Sequence, residues 1–172
     1  MKITSEQLHS IGASPENSAK FVDLVNDTLV KFEINTPLRV QHFLAQVMHE
    51  SLCFHYLKEL ASGEAYEHRA DLGNTSAGDG VKFKGRGLIQ ITGHFNYIAI
   101  GKDLGEDFIS HPELLETPKY ATLSAGWFWN KHDLNALADA DDITHITKRI
   151  NGGLNGIDSR TSYLNKAKAV IK

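Results

Sequence analysis

The chain has 172 residues, enough for one domain with a substantial core, and its 41% hydrophobic and 23% charged residues are ordinary for a globular protein. A formal charge of −3 offers no basic field for nucleic acid, and no apolar run reaches the roughly 18 residues of a membrane-spanning helix. Cys53 is the only cysteine, which excludes an internal disulfide, and the start Met1-Lys2-Ile3-Thr4 lacks the apolar stretch of a secretory signal, so a cytoplasmic origin is expected.

Thr4 or Ser5, with Glu6 and Gln7 close behind, predicts the cap of a short first helix that runs to Ile11 and is stopped by Gly12. Ser14-Pro15-Glu16 restarts it, and Phe21, Val22, Leu24, Val25, Leu29 and Phe32 then recur at helical spacing. Asn35-Thr36-Pro37 repeats the device and opens a third helix carrying Val40, Phe43, Leu44, Val47 and Met48. Glu50 continues that helix. Val47, Gln46 and Phe43 stand three, four and seven positions before it, so its carboxyl shares their inward stripe. A carboxyl placed there is expected to hold its proton longer than usual.

Glu59 follows nine positions later, which on one helix would put it on the opposite face at ~13 Å of rise. The two carboxylates can face one cleft only if the helix stops between them, near Cys53 to His55. A raised carboxyl opposite an ionised one is the equipment of glycoside hydrolysis. A core-edge glutamate plus a solvated one beside Lys58 would give the same pattern.

From Gly63 to Gly87 the chain is glycine-rich and lacks a long apolar period, as in a functional loop. Leu88-Ile89-Gln90-Ile91-Thr92 predicts a short strand, with Gln90 and Thr92 on the face opposite Ile89 and Ile91. That row of hydrogen-bonding side chains would suit a sugar, or simply face water. Helices resume from His94 to Gly101 and after Thr117-Pro118. Asp142 caps a further helix from Ile143 to Ile150, and the last runs from Asp158 or Ser159 to Lys172. Trp127, Phe128 and Trp129 are consecutive, so one of them must leave the core face. Asn151-Gly152-Gly153-Leu154-Asn155-Gly156 forms a tight turn where backbone can approach a ligand.

Nine histidines raise the question of a metal, but the zinc-binding pattern that begins at His49-Glu50 would need histidine at position 53, which is Cys53. No metal and no cofactor is expected. Gly85-Arg86-Gly87 is followed by no Lys-Ser/Thr, so it is not a phosphate loop. Cys53, beside apolar neighbours, fits a small buried hydrophobe better than a nucleophile.

Three segments together resemble glycoside hydrolase family 19, the chitinase family, and its phage endolysin relatives in the lysozyme superfamily. They are Gln46-Val47-Met48-His49-Glu50-Ser51, then Phe83-Lys84-Gly85-Arg86-Gly87-Leu88-Ile89-Gln90-Ile91-Thr92 with Asn96-Tyr97, and Ile150-Asn151-Gly152-Gly153 followed by Arg160. The resemblance implies a mainly α, two-lobed lysozyme-like fold with a small β element beside the cleft, residues 1–172 forming a single catalytic domain. It implies an inverting mechanism with Glu50 as general acid, Glu59 as general base and Thr92 helping to hold the water. His49, Gln90, Asn96 and Asn151 would contact substrate, and Arg160 would belong to the cleft's charge network.

The departures from the chitinase pattern point to a narrower expectation. Family chitinases usually continue His-Glu-Thr-Gly-Gly, whereas Ser51-Leu52-Cys53 stands here, and the loop Ala61 to Gly80, with Tyr66 to Asn74 within it, resembles that of phage and prophage lysis enzymes. A monomeric endolysin is therefore expected, cleaving the β-1,4 bond between N-acetylmuramic acid and N-acetylglucosamine in peptidoglycan. It would wait in the cytoplasm of the bacterial host until a holin gives it access to the wall. A chitinase is the alternative, and a non-catalytic wall-binding module and a lytic transglycosylase are the others.

Overall fold

A computed structural model describes all residues 1–172 and contains nine α-helices with three short 3-10 turns. They are α1 (Ser5–Ile11), α2 (Pro15–Lys31), α3 (Pro37–Glu50), α4 (Asp79–Lys82), α5 (His94–Leu104), α6 (Pro118–Lys131), α7 (Leu134–Asp139), α8 (Ile143–Asn151) and α9 (Ile157–Val170). The first three start where their capping residues dictate. The Thr4 hydroxyl accepts the Gln7 N–H while the Gln7 side chain reaches back to Thr4, and Ser14 and Thr36 cap helices whose first residue is proline. Asp142 likewise accepts the His145 N–H at the start of α8.

Helix α3 is the axis of the molecule. Every residue from Val40 to Met48 is buried, so it is enclosed on all sides rather than amphipathic. It packs along α9 and against α7, while α1 and α2 close over α9 and α6. Trp129 meets Phe43 edge-on with ring centroids 5.4 Å apart. The other dense packing lies in a smaller group, where α4 and α5 fold against the 3-10 turns at Glu64–Tyr66 and Ala70–Leu72. One apolar cluster reaches both groups, from Ile3 and Phe21 through Phe43 and Met48 to Phe83, Ile91 and Tyr97.

Four expectations are corrected. Residues 88–92 form no strand: Gln90 is left-handed (φ 58°), and the segment is a turn closed by the Ile91 N–H on the Arg86 carbonyl at 2.8 Å. The β element therefore shrinks to isolated bridges, Lys58 with Arg86 and Arg86 with Ile91. The last helix opens at Ile157 behind a left-handed Gly156, with no side-chain cap from Asp158 or Ser159. The loop from 63 to 87 holds two 3-10 turns and α4, and α7 lies in a stretch that gave no helical signal. Of the three consecutive aromatics, Trp127 and Trp129 are buried and Phe128 is the one left half-exposed.

Candidate active site

Helix α3 delivers His49 and Glu50 at its C-terminal end and then stops abruptly. Leu52, Cys53 and Phe54 follow with φ of 48°, 57° and 67°, three left-handed residues in a row without a glycine among them. Such a run costs roughly 1–2 kcal/mol per residue and persists only where its surroundings over-determine it. Ser51 does much of this. Its hydroxyl donates to the Val47 carbonyl at 2.6 Å and accepts the Phe54 N–H at 2.8 Å, and its carbonyl takes the N–H groups of His55 and Tyr56. The Cys53 N–H bonds to the Met48 carbonyl at 2.8 Å, Asn17 holds the Cys53 carbonyl, and Phe54 (2% exposed) stacks on Phe21 at 4.8 Å. The helix is thus broken between the two carboxylates, a few residues before the predicted stop.

The reversed chain then runs antiparallel to the glycine segment. The Gly87 N–H donates to the Leu57 carbonyl and the Glu59 N–H to the Gly85 carbonyl, both at 2.9 Å. Glu59 is fixed by two donors: the Gly85 N–H at 3.0 Å on one carboxylate oxygen and the Tyr66 hydroxyl at 3.1 Å on the other. Burial, helped by the bond to Glu59, pushes the Tyr66 hydroxyl above its usual range, so it stays a donor. Lys58 does not sit against Glu59 as expected. Its ammonium pairs with Glu116 at 3.0 Å, and Arg86 joins the same carboxylate at 2.7 Å. Arg86 also donates to Tyr97 at 2.9 Å, and burial raises that hydroxyl to about 12. This network anchors the backbone that presents Gly85.

Gln90 meets Glu59 at Gly85, and Thr92 and Asn96 follow it through a chain of hydrogen bonds. Gln90 donates to the Gly87 carbonyl at 3.0 Å, Thr92 to the Gln90 carbonyl at 2.9 Å and Asn96 to the Thr92 carbonyl at 2.8 Å. A Cβ built on Gly85 would lie 2.7 Å from Gln90 Oε1 and 3.1 Å from Glu59 Oε2, so both side chains converge on that glycine.

Glu50 is not in an apolar pocket. Its side chain is 19% exposed and Oε1 accepts Arg160 Nη2 at 2.5 Å. Arg160 is fully buried and comes from α9; its Nη1 donates to Gln46 Oε1 at 2.5 Å and its Nε to the Asn155 carbonyl at 3.3 Å. His49 pairs through Nδ1 with Ser159 at 3.0 Å; burial first, and then Arg160, pull its imidazole below the usual value against the attraction of Glu50. Asn151 is exposed at the end of α8 and makes no side-chain hydrogen bond within the protein. His42 and His49 share no ligand: His42 bonds to Asp141 at 2.7 Å.

The named residues therefore form two sets. His49, Glu50 and Arg160 sit on the α3–α9 seam. Glu59 and Gln90 sit on the paired segments, with Thr92 just after them and Asn96 at the start of α5, and the left-handed turn joins the two sets. Sequence reasoning missed Gln46 as a partner of Arg160, Ser51 as the turn clamp, and Tyr66 and Gly85 as donors to Glu59. The isolated glycine between Lys84 and Arg86 was the one local signal among these.

The model of glycoside hydrolase family 19, described as chitinase class I, matches residues 43–147, more than half of the chain. A glycosyl hydrolase family 19 domain-containing protein of Haemophilus influenzae is 42% identical over 102 residues, which cover 59% of this chain and 49% of that protein. An endochitinase of Arabidopsis thaliana is 35% identical over 153 residues, covering 85% of this chain and 50% of the relative. The chain thus spans about half the length of these curated relatives. In solved structures, a bacterial family 19 chitinase superposes with a TM-score of 0.77 at 21% identity, over 99% of this chain and 96% of the other. Chitinase C from Streptomyces griseus gives 0.75 at 22% identity, over 97% and 75%. At these identities the likeness is one of fold.

Proposed function

The chain belongs to glycoside hydrolase family 19, and from that premise we propose that it hydrolyses a β-1,4 bond in an N-acetylhexosamine polymer with inversion, Glu50 acting as general acid and Glu59 as general base. The observation that carries this reading is the break in α3, which releases Glu59 from the helix that holds Glu50 and hands it to Gly85 and Tyr66. In the proposed reaction Glu50 gives its proton to the departing glycosidic oxygen as the C–O bond breaks. Glu59 takes a proton from the water attacking the opposite face, for which inverting enzymes keep their carboxyls about 6.5–9.5 Å apart. Thr92 would steady that water, Gln90, Asn96, Asn151 and His49 would contact the sugar, and Arg160 would fix Glu50.

For the substrate we favour peptidoglycan, cut between N-acetylmuramic acid and N-acetylglucosamine. Ser51-Leu52-Cys53 after the acid and the Tyr66–Asn74 loop support an endolysin that acts as a monomer and reaches the wall from the host cytoplasm through a holin lesion. The similarity to plant endochitinases favours chitin as the second reading.

Product mass spectrometry after digestion of purified peptidoglycan and of chitin oligosaccharides separates them. Muropeptides with a reducing N-acetylmuramic acid end support the first reading; chitin fragments with intact wall move it to the second, and 1,6-anhydro ends reject hydrolysis altogether. Glu50→Gln is expected to lower turnover by roughly 10²–10⁴-fold with binding kept. Wall lysis at the wild-type rate by that variant would remove Glu50 from the mechanism.

A further inference from the structure

Arginine and carboxylate side chains commonly meet as a two-pronged pair, both guanidinium nitrogens on both oxygens. Arg160 and Glu50 do not. Only Nη2 reaches Glu50, and only at Oε1, because Nη1 is already held at 2.5 Å by the amide oxygen of Gln46. Gln46 lies one helical turn before Glu50 on α3, on the same face, and is fully buried. Its amide nitrogen has no hydrogen-bond partner. Burying an unpaired amide is costly, and an apolar side chain of the same volume would avoid that cost. The one hydrogen bond the Gln46 side chain makes is the bond to Arg160.

We infer that Gln46 is a positioning residue for the acid proposed above: by occupying Nη1 it keeps Arg160 single-pronged on Glu50, so that Glu50 Oε2 is left uncovered to carry the proton delivered to substrate. The inference rests on Glu50 being the acid. Without Gln46, the guanidinium can rotate about Nε, a pivot held only by the longer 3.3 Å bond to Asn155. Both nitrogens then face Glu50 and the proton-bearing oxygen is sequestered. The other titratable group at this end of α3 is His49, and from α9 Arg160 is the charged group facing Glu50. Burial and Arg160 hold His49 below its usual value.

Two substitutions pull in opposite directions. Gln46→Met keeps the volume and removes the acceptor. It is expected to lower kcat roughly tenfold with KM nearly unchanged, and to move the alkaline limb of the kcat–pH profile to lower pH, since a two-pronged guanidinium favours loss of the proton. Gln46→Glu keeps the acceptor and adds a second carboxylate to share the guanidinium, so the alkaline limb moves to higher pH. Both are measured on the purified chain from about pH 4 to about pH 9, on whichever of peptidoglycan or chitin oligosaccharide the wild type cleaves. Limbs that shift in the same direction, or stay at the wild-type position, overturn the inference, and Gln46→Glu alone can do so if the Met variant does not fold. Unchanged Gln46 variants beside an inactive Glu50→Gln would reject the positioning role and leave the acid in place. An active Glu50→Gln would reject the acid itself.

Discussion

At Gly85 a single methyl group decides whether Glu59 keeps its place. Its backbone is not left-handed, so alanine is tolerated conformationally, but the new Cβ would press on Glu59 and Gln90 together. Gly85→Ala is therefore expected to keep the circular dichroism of the wild type while kcat falls about 10²-fold, the usual result of a misplacement near 1 Å. Wild-type turnover in a folded Gly85→Ala chain would mean that Glu59 is not held where it is used. Glu50 and Glu59 were legible in the sequence because their types and spacing are local facts, and the broken helix was the physical condition they imposed. Arg160 was a different matter: 110 positions separate it from Glu50, and no pattern within one helix could name it without the family resemblance. Gln46 was legible only as a member of the apolar stripe, since its amide has meaning only once Arg160 has arrived.

Among the elements, the left-handed turn after α3 carries the most strain and rests on one small side chain. Ser51→Ala leaves the buried Phe54 N–H without an acceptor and is expected to cost about 1–3 kcal/mol, read as a lower urea midpoint with unchanged m-value. A loss below a few tenths would show that the turn is held by Phe54 packing instead. The capped helices α1, α2, α3 and α8 were predictable because caps act over three or four residues. Residues 88–92 misled because apolar alternation is also what a turn presents when one polar residue, Gln90, is forced into a left-handed conformation. Helix α7, six residues long, is too short to show a period, and it forms by packing on α3, α6 and α8.

Across the whole molecule, α3 presents a polar seam to its neighbours. Arg39 pairs with Asp139 at 2.6 Å, His42 with Asp141, Gln46 with Arg160, and His49 with Ser159, while Lys168 from α9 closes on Asp141 at 2.6 Å. Gln46, Arg160 and His42 are the seam's fully buried members, and His42 is the titratable imidazole among them. Burial lowers its imidazole below its usual range, outweighing the attraction of Asp141, so we assign the neutral ring with Nε2–H donating to that carboxylate. A base whose folded value is lowered binds fewer protons folded than unfolded. Its stabilising contribution is complete above about 6.5, where the unfolded ring titrates, and is lost as pH falls toward the lower folded value. His49 and His132 shift the same way, and Asp141 and Asp139, lowered by their ion pairs, extend the loss to still lower pH. The urea midpoint is expected to fall from pH 7.5 to about pH 5, and the fall should be smaller in His42→Gln, which has no charge to gain. An equal fall in both chains would place the acid sensitivity elsewhere.

The pairing of Leu57 and Glu59 with Gly85 and Gly87 has an evolutionary consequence. It staples the base of the excursion from residue 60 to 84, so lengthening that excursion beyond Tyr66, which donates to Glu59, leaves Glu59 where it is, and a closed loop loses only about 0.6 kcal/mol per doubling of its length. The five residues from Ser51 to His55 have no such freedom, because one insertion there would rotate Glu59 away from its two donors. Variation in length can therefore accumulate in the first segment, while the second keeps its length.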